Sequence, residues 1–198
     1  MNITHGNILA VFFSASEAEI CEGREWYSNA NKYASALALK YNIHVERVAA
    51  IIAALSPNNR WNRNLIDAEA LIKVYTNGGD PGSVKVATFN KNKAKAIAIL
   101  NGDGPFTTLG GRKVRAFLQC ILGLYPDAVC VDGHAYSIWL GQRVPTTKTP
   151  SISAKLYEQI ANDYRKATDQ INNITGQHFT PAQVQAVTWV VWRNLNHE

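Results

Sequence analysis

TTLGGRKVRAF at residues 107–117 and VDGHA at residues 131–135 are the two stretches that decide the predicted fold. The paired glycines at 110 and 111 are a turn signal, and the apolar run at residues 114–124 predicts a buried helix directly after them. A proline-containing turn and a short apolar segment follow. Asp132 then precedes the next apolar run, in the place of a helix N-cap. The pattern predicts helix, glycine turn, helix, loop and helix.

A lysine and an aspartate occupy comparable places in this pattern. Lys113 lies in the first turn after the glycines, and Asp132 lies 19 residues later at the predicted start of the next helix. Because the connection is short, the two helices can pack side by side, so that an amine and a carboxylate face one cleft.

The two stretches resemble motifs of the helix-hairpin-helix DNA glycosylases, the superfamily that includes endonuclease III. In that superfamily a leucine-proline-glycine-hydrophobic-glycine hairpin leads into arginine-lysine, and a valine-aspartate-X-histidine block follows about one helix later. The segment 111–113 is similar to the end of the hairpin, and the segment 131–134 is similar to the second block. The sequence departs from the hairpin motif at one place, because Leu109 stands where the first glycine is expected. The resemblance covers about residues 45–139.

The resemblance implies an all-α fold of two helical lobes, with the active-site cleft between the lobes. The chain is then a single domain over residues 1–198. One lobe combines about residues 1–40 with residues 140–198, and the other, about residues 45–138, carries the hairpin. Helical periodicity and helix-start signals predict the individual helices. They lie at 26–41, 45–55, 64–75, 90–100, 114–124 and 153–167, with further starts at Ser14–Glu17, where Glu17 is the capping acid, and at Thr180-Pro181.

The resemblance also implies chemical roles for particular residues. Asp132 is the carboxylate that stabilises positive charge on the sugar, and Lys113 is the amine that attacks the anomeric carbon and forms an imine. His134 positions Asp132 or contacts a phosphate. The remaining DNA-binding residues of the hairpin are Gly110, Gly111 and Arg112. Two plainer interpretations stay open, in which Lys113 is a surface lysine of a basic turn and Asp132 is only a helix cap.

A second polar stretch, SPNNRWNRN at residues 56–64, interrupts two predicted helices. Its asparagines, arginines and tryptophan are suited to base, phosphate and stacking contacts with DNA. In the glycosylases the corresponding segment fills the gap left by an extruded base, which makes Asn58 the candidate for that role. The predicted DNA-contacting residues here are Asn58, Asn59, Trp61 and Asn62. The alternative is that the asparagines cap the helix beginning near Trp61, whose ring packs on the core.

Composition limits the remaining possibilities. The net charge of +5 suits a polyanionic partner such as DNA, and the hydrophobic share of 46% is ordinary for a folded domain. The three cysteines, Cys21, Cys120 and Cys130, have neither zinc-site nor disulfide-framework spacing. Some relatives of endonuclease III carry four C-terminal cysteines that hold an iron–sulfur cluster, whereas this sequence has no cysteine after Cys130. We therefore expect no metal and no cofactor. The lack of a signal segment or a long apolar run predicts a soluble, cytoplasmic protein without membrane contact, and we expect a monomer.

Three functions fit these observations. The first is a DNA glycosylase that excises a damaged or modified base from duplex DNA, with β-lyase activity through a lysine Schiff base. The second is a glycosylase-like enzyme of thymine hypermodification in phage DNA. The third is a non-catalytic helix-hairpin-helix protein that binds DNA structure. The first requires base extrusion, which costs a few kcal/mol and favours damaged or mispaired bases.

Overall fold

The computed structural model describes residues 4–195, which form helices and loops without a strand. The predicted all-α class is confirmed. The helices are α1 Thr4–Phe13, α2 Glu17–Tyr41, α3 Val45–Leu55, α4 Trp61–Thr76, α5 Asn90–Leu100, α6 Pro105–Thr108, α7 Arg112–Leu122, α8 Gly133–Leu140, α9 Ala154–Thr175 and α10 Pro181–Asn194. Two single 3₁₀ turns lie at Pro81–Ser83 and Thr146–Lys148.

The helices predicted at 45–55 and 90–100 are confirmed to the residue, whereas α2 and α9 are longer than predicted. The start of α2 at Glu17 is confirmed, but Glu17 is not its capping acid. The Ser16 amide donates to Glu19 Oε2 at 2.9 Å, and the Glu19 amide donates to Ser16 Oγ at 3.3 Å. This reciprocal pair is the capping box of α2.

The chain divides into two compact units. Within the described residues, the first unit comprises residues 4–28 and 123–195, and the second comprises residues 29–122. Helix α2 continues through the division, so its residues up to Ser28 belong to the first unit and those from Asn29 to the second.

In the first unit, α1 packs against α8, α9 and α10, and α10 packs against both α8 and α9. The first segment of α2 lies directly on α10, because a Cβ at Gly23 would meet the Cα of Val187 at 2.4 Å. Only glycine permits that approach. Phe12 of α1 packs edge-to-face on Phe179, with ring centroids 5.2 Å apart, and closes one side of the core.

In the second unit, α3 is the central helix, and its residues from Val48 to Leu55 are all buried. It packs against α4, α5, α6 and α7. A helix that is apolar on every side after its first turn has to be surrounded, which explains why four other helices cover it. Cys120 of α7 is also buried here, as a small apolar side chain.

None of the described helices combines the length and apolarity needed to cross a membrane.

The start of α10 provides a test of helix capping in the first unit. Thr180 Oγ1 accepts the Gln183 amide at 3.2 Å, and Gln183 Oε1 accepts the Thr180 amide at 2.9 Å, with Pro181 in the first turn. We predict that Thr180→Ala lowers the free energy of unfolding by about 1 kcal/mol, because the cap is lost. Urea unfolding followed by circular dichroism measures this. Thr147→Ala, at an exposed site outside α10, is the control and should change stability by less than about 0.5 kcal/mol. Equal losses in both variants would contradict the capping role.

Candidate functional site

The asparagine loop, residues 56–60, begins where a proline ends α3. Pro57 has no N–H to continue the helix, so the last carbonyls of α3 need other donors. The Ser56 amide and hydroxyl both donate to the Ala53 carbonyl, at 3.3 and 2.9 Å. Asn64 Nδ2 of α4 donates to the Ile52 carbonyl at 3.0 Å. The end of α3 and the first turn of α4 are thereby fixed to each other.

A buried carboxylate then fixes the loop itself. Asp67 is 1% exposed and accepts three hydrogen bonds. They come from Asn59 Nδ2 at 3.1 Å, from Arg63 Nε at 2.7 Å and from the Ala87 amide at 2.7 Å. Burial of a carboxylate is costly unless its oxygens accept hydrogen bonds of this kind. Asp67 therefore joins the asparagine loop, α4 and the segment before α5 at one point.

The four predicted contact residues of this region have different environments. Asn58 is exposed and adopts φ 56°, in the left-handed region that asparagine tolerates better than most residues. Asn59 points inward to Asp67, so the alternative in which it caps α4 is wrong; the N-cap position is Arg60, which makes no side-chain cap. Asn62 is exposed. Trp61 is half-buried.

Trp61 packs edge-to-face on Phe117 of α7, with ring centroids 6.3 Å apart. The tryptophan therefore has a packing role, although the residue as a whole is only half-buried. This contact links the start of α4 to α7, the helix that follows the glycine turn. The asparagine loop and the glycine turn are thus both attached to one framework within the second unit.

The glycine turn joins α6 to α7 through Leu109, Gly110 and Gly111. Leu109 is buried and its carbonyl accepts Arg115 Nε, which anchors the turn. Gly110 and Gly111 do not adopt the left-handed region. A Cβ at Gly110 would meet only Lys95 Nζ at 3.6 Å, and a Cβ at Gly111 would meet open space. Neither the backbone conformation nor internal crowding requires glycine here, so the bare turn suits close approach by a ligand.

Positive charge surrounds this turn. Lys95 Nζ lies beside Gly110, and both Arg112 and Lys113 are exposed in the first turn of α7. The second unit as a whole holds 13 lysines and arginines against 5 aspartates and glutamates, a net charge of +8. The first unit holds 7 against 10, a net charge of −3. The basic excess of the chain therefore belongs entirely to the second unit.

Asp132 lies in the first unit and caps α8, as predicted. Its Oδ1 accepts the Ala135 amide at 2.8 Å, and its side chain is half-buried. The cap uses one carboxylate oxygen. His134 lies in the first turn of α8 and is half-buried. The two predicted catalytic residues thus come from different units, Asp132 from the first and Lys113 from the second.

Tyr164 of α9 is fully buried within the electrostatic reach of Asp132. Burial raises the pKa of Tyr164 well above its ordinary value of 10.0; the hydrogen bond with Thr188 opposes this shift and the negative charge of Asp132 adds to it. The Tyr164 hydroxyl lies 3.4 Å from Thr188 Oγ1. Tyr164 is therefore a neutral polar group in the core near Asp132.

The model of the DUF7178 family matches residues 2–196. The chain belongs to this family, a family of unknown function. No curated protein and no solved structure matches the chain.

Two buried polar side chains near the candidate residues, Asp67 and Tyr164, were not predicted from the sequence. The sequence contains one indication of a role for Asp67, which is that it lies four residues after Arg63. This spacing is typical of an ion pair on a helix and does not indicate that the carboxylate is buried. The sequence contains none for Tyr164, because a tyrosine at helical spacing is normally a core residue. Both depend on contacts between segments distant in sequence, namely Ala87 for Asp67 and Thr188 for Tyr164.

The role of Asp67 can be tested by deletion of its carboxylate. We predict that Asp67→Ala lowers the free energy of unfolding by about 3 kcal/mol, because three donors lose their buried acceptor. Hydrogen exchange at the Ala87 amide should accelerate in the same variant. Asp103→Ala removes an exposed carboxylate of the same unit and is the control. A loss below about 0.5 kcal/mol for Asp67→Ala would show that the carboxylate does not organise the loop.

The buried tyrosine predicts a pH dependence on the alkaline side. Because the folded-state pKa of Tyr164 is raised, its contribution to stability is complete below the unfolded-state pKa of about 10 and is lost progressively at higher pH. The free energy of unfolding should therefore fall above pH 10 more steeply in the wild type than in Tyr164→Phe. Tyr33 also has a raised pKa, caused first by burial, and Tyr33→Phe is the comparison in the second unit. Parallel pH profiles for wild type and Tyr164→Phe would refute this assignment.

Proposed function

We propose that the protein is a DNA glycosylase that cleaves the N-glycosidic bond of a damaged or modified base, with β-lyase activity through Lys113. The observation that carries the proposal is the open glycine turn set in a unit of net charge +8. The division into two compact helical units supports the two-lobed fold of the helix-hairpin-helix glycosylases.

Phosphate binding is assigned to the glycine turn and its basic neighbours. A turn without side chains lets backbone amides approach a phosphate, and α7 begins directly after it, so its amide dipoles favour an anion. Lys95, whose Nζ lies beside Gly110, and the exposed Arg112 at the start of α7 add positive charge next to the turn. Contacts of this kind fix the position of the duplex without reading its sequence.

We assign to the asparagine loop the role of filling the gap that the extruded base leaves in the base stack. Asn58 is exposed on a loop whose flanks are anchored by Asp67 and by the Pro57 carbonyl, which accepts Thr88 Oγ1 at 2.6 Å. A short polar side chain on a fixed loop can enter a gap in the base stack and hydrogen-bond the unpaired partner base. Its rigidity reduces the entropy lost on binding.

The chemistry is assigned to Asp132 and Lys113. Asp132 uses Oδ1 for the helix cap, which leaves Oδ2 to stabilise the positive charge that develops on the sugar. The Lys113 amine attacks C1′ as the bond from C1′ to the base breaks, and the base leaves with a proton. The C1′–O4′ bond then breaks as O4′ takes up the remaining N–H proton, which gives an imine. Loss of a C2′ proton expels the 3′ phosphate as the C3′–O bond breaks.

The exposure of Lys113 favours a second candidate, a non-catalytic helix-hairpin-helix protein that binds DNA structure. Lysines that form Schiff bases are usually activated by an apolar or cationic surrounding. In this second candidate Lys113 contributes only charge, and Asp132 only caps α8.

Product analysis separates these functions. Wild-type protein is incubated with duplexes that carry damaged, mispaired or modified bases, and the free base and the strand are identified by mass spectrometry. We predict release of one class of base, with at least a hundredfold lower rate for Asp132→Asn, because an oxyanion or charge stabiliser of this kind contributes about 10²–10³ in rate. Asp127→Asn, an exposed carboxylate of the same unit, is the control. Binding without product would support the non-catalytic candidate, and an altered base that stays attached would support base modification.

DNA affinity should depend on salt through the second unit. We predict that the double variant Lys95→Ala, Arg112→Ala weakens binding to duplexes of any sequence and reduces the slope of log K against log salt by about 2, one for each lost phosphate contact. Fluorescence anisotropy over a salt series measures the slope. Lys148→Ala, an exposed lysine of the acidic first unit, should leave the slope unchanged. An unchanged slope in the double variant would remove the glycine turn from the DNA-binding surface.

A further inference from the structure

We infer that Tyr157 of α9 is the positioning residue that holds Asp132 in place, an inference whose catalytic consequence rests on the proposed function. Its hydroxyl donates to the Val129 carbonyl at 2.9 Å and lies 3.2 Å from the Val131 amide, which donates to it. Asp132 is the next residue along the chain. One side chain therefore satisfies two backbone groups of the segment that delivers the carboxylate.

The burial of this contact makes the hydroxyl difficult to replace. Tyr157 is 8% exposed, and Val129 and Val131 are 2% and 1% exposed. Water has little access to these groups, so loss of the hydroxyl would leave a buried N–H and a buried C=O without this partner. The segment would have to shift to find others, and Asp132 would shift with it.

The same helix also holds the other end of α8. Trp139 Nε1 donates to the buried carboxylate of Asp163 at 2.8 Å, and the Trp139 carbonyl accepts Asn7 Nδ2 at 3.0 Å. Tyr157 and Asp163 of α9 therefore fix the residues before Asp132 and the last turn of α8. The cap between Asp132 and Ala135 lies between these two anchors.

These hydrogen bonds suit a carboxylate whose function depends on exact placement of its oxygens. Charge stabilisation in a transition state requires placement within a fraction of an ångström, and supporting hydrogen bonds supply that precision. A cap alone would not need this support, because capping residues are normally held by the helix that they cap. The two hydroxyl contacts of Tyr157 point to a carboxylate that must not move.

Tyr157→Phe tests the inference without reference to catalysis. The variant keeps the ring and removes only the hydroxyl. We expect hydrogen exchange at the Ala135 amide, the cap donor, to accelerate at least tenfold, because the Val129 carbonyl and the Val131 amide both lose their buried partner. Tyr27→Phe is the matched control, since Tyr27 is also 8% exposed and its hydroxyl donates to Gln185 Oε1 at 2.7 Å. Unchanged Ala135 exchange together with an unchanged carboxyl titration of Asp132 by NMR would overturn the inference.

The catalytic arm uses wild-type base release as its reference. We expect Tyr157→Phe to lower kcat about tenfold with KM within about twofold, because placement of the carboxylate affects the transition state and not DNA binding. Tyr27→Phe should lower neither. An equal fall in kcat for both variants would overturn the positioning role. If the wild type releases no base, the proposed function fails, and the exchange and titration measurements still decide whether Tyr157 places Asp132.

Discussion

The path of the chain through the second unit depends on one physical requirement, which is that the buried carboxylate of Asp67 must be hydrogen-bonded. Asp67 is almost wholly removed from water, and it remains compatible with burial only because three donors from separate segments converge on it. That convergence determines the path of the asparagine loop between α3 and α4 and the path of the chain into α5. Pro57 also constrains this path, because it ends α3 and leaves the last carbonyls of that helix without helical donors. The side-chain amide of Asn64 and the hydroxyl of Ser56 donate to two of these carbonyls. The exposed Asn58 is therefore presented by a loop that its neighbours hold firmly.

Charge gives the two units different properties. A unit of net charge +8 with a bare glycine turn suits a polyanion, whereas a unit of net charge −3 does not. The carboxylate of Asp132 belongs to the acidic unit, where Tyr157 and the α8 cap fix it. In the proposed function, DNA binding and charge stabilisation are thus assigned to separate parts of the chain. The overall charge of +5 is thus the sum of a basic second unit and an acidic first unit.

Local sequence patterns predicted much of the fold, and contacts between distant segments account for the rest. The helices at Val45–Leu55 and Asn90–Leu100 were predictable because a proline or a glycine turn ends each of them. The cap at Asp132 was predictable because capping depends only on a residue and the three that follow it. The division between Ser28 and Asn29 was not, because α2 continues through it without a helix-breaking residue. The anchoring of Asp67 was equally hidden, since its partner Ala87 is 20 residues away.

Borohydride trapping on an abasic-site duplex tests the central chemical claim most directly. Reduction converts an imine between a lysine and the opened sugar into a stable covalent complex, and peptide mapping locates the lysine. We expect a covalent complex at Lys113 that is absent in Lys113→Ala. Lys95→Ala, altered beside the same turn, should still form the complex when DNA is saturating. The absence of a wild-type complex on abasic and modified-base duplexes, or a complex that persists in Lys113→Ala, would contradict this claim.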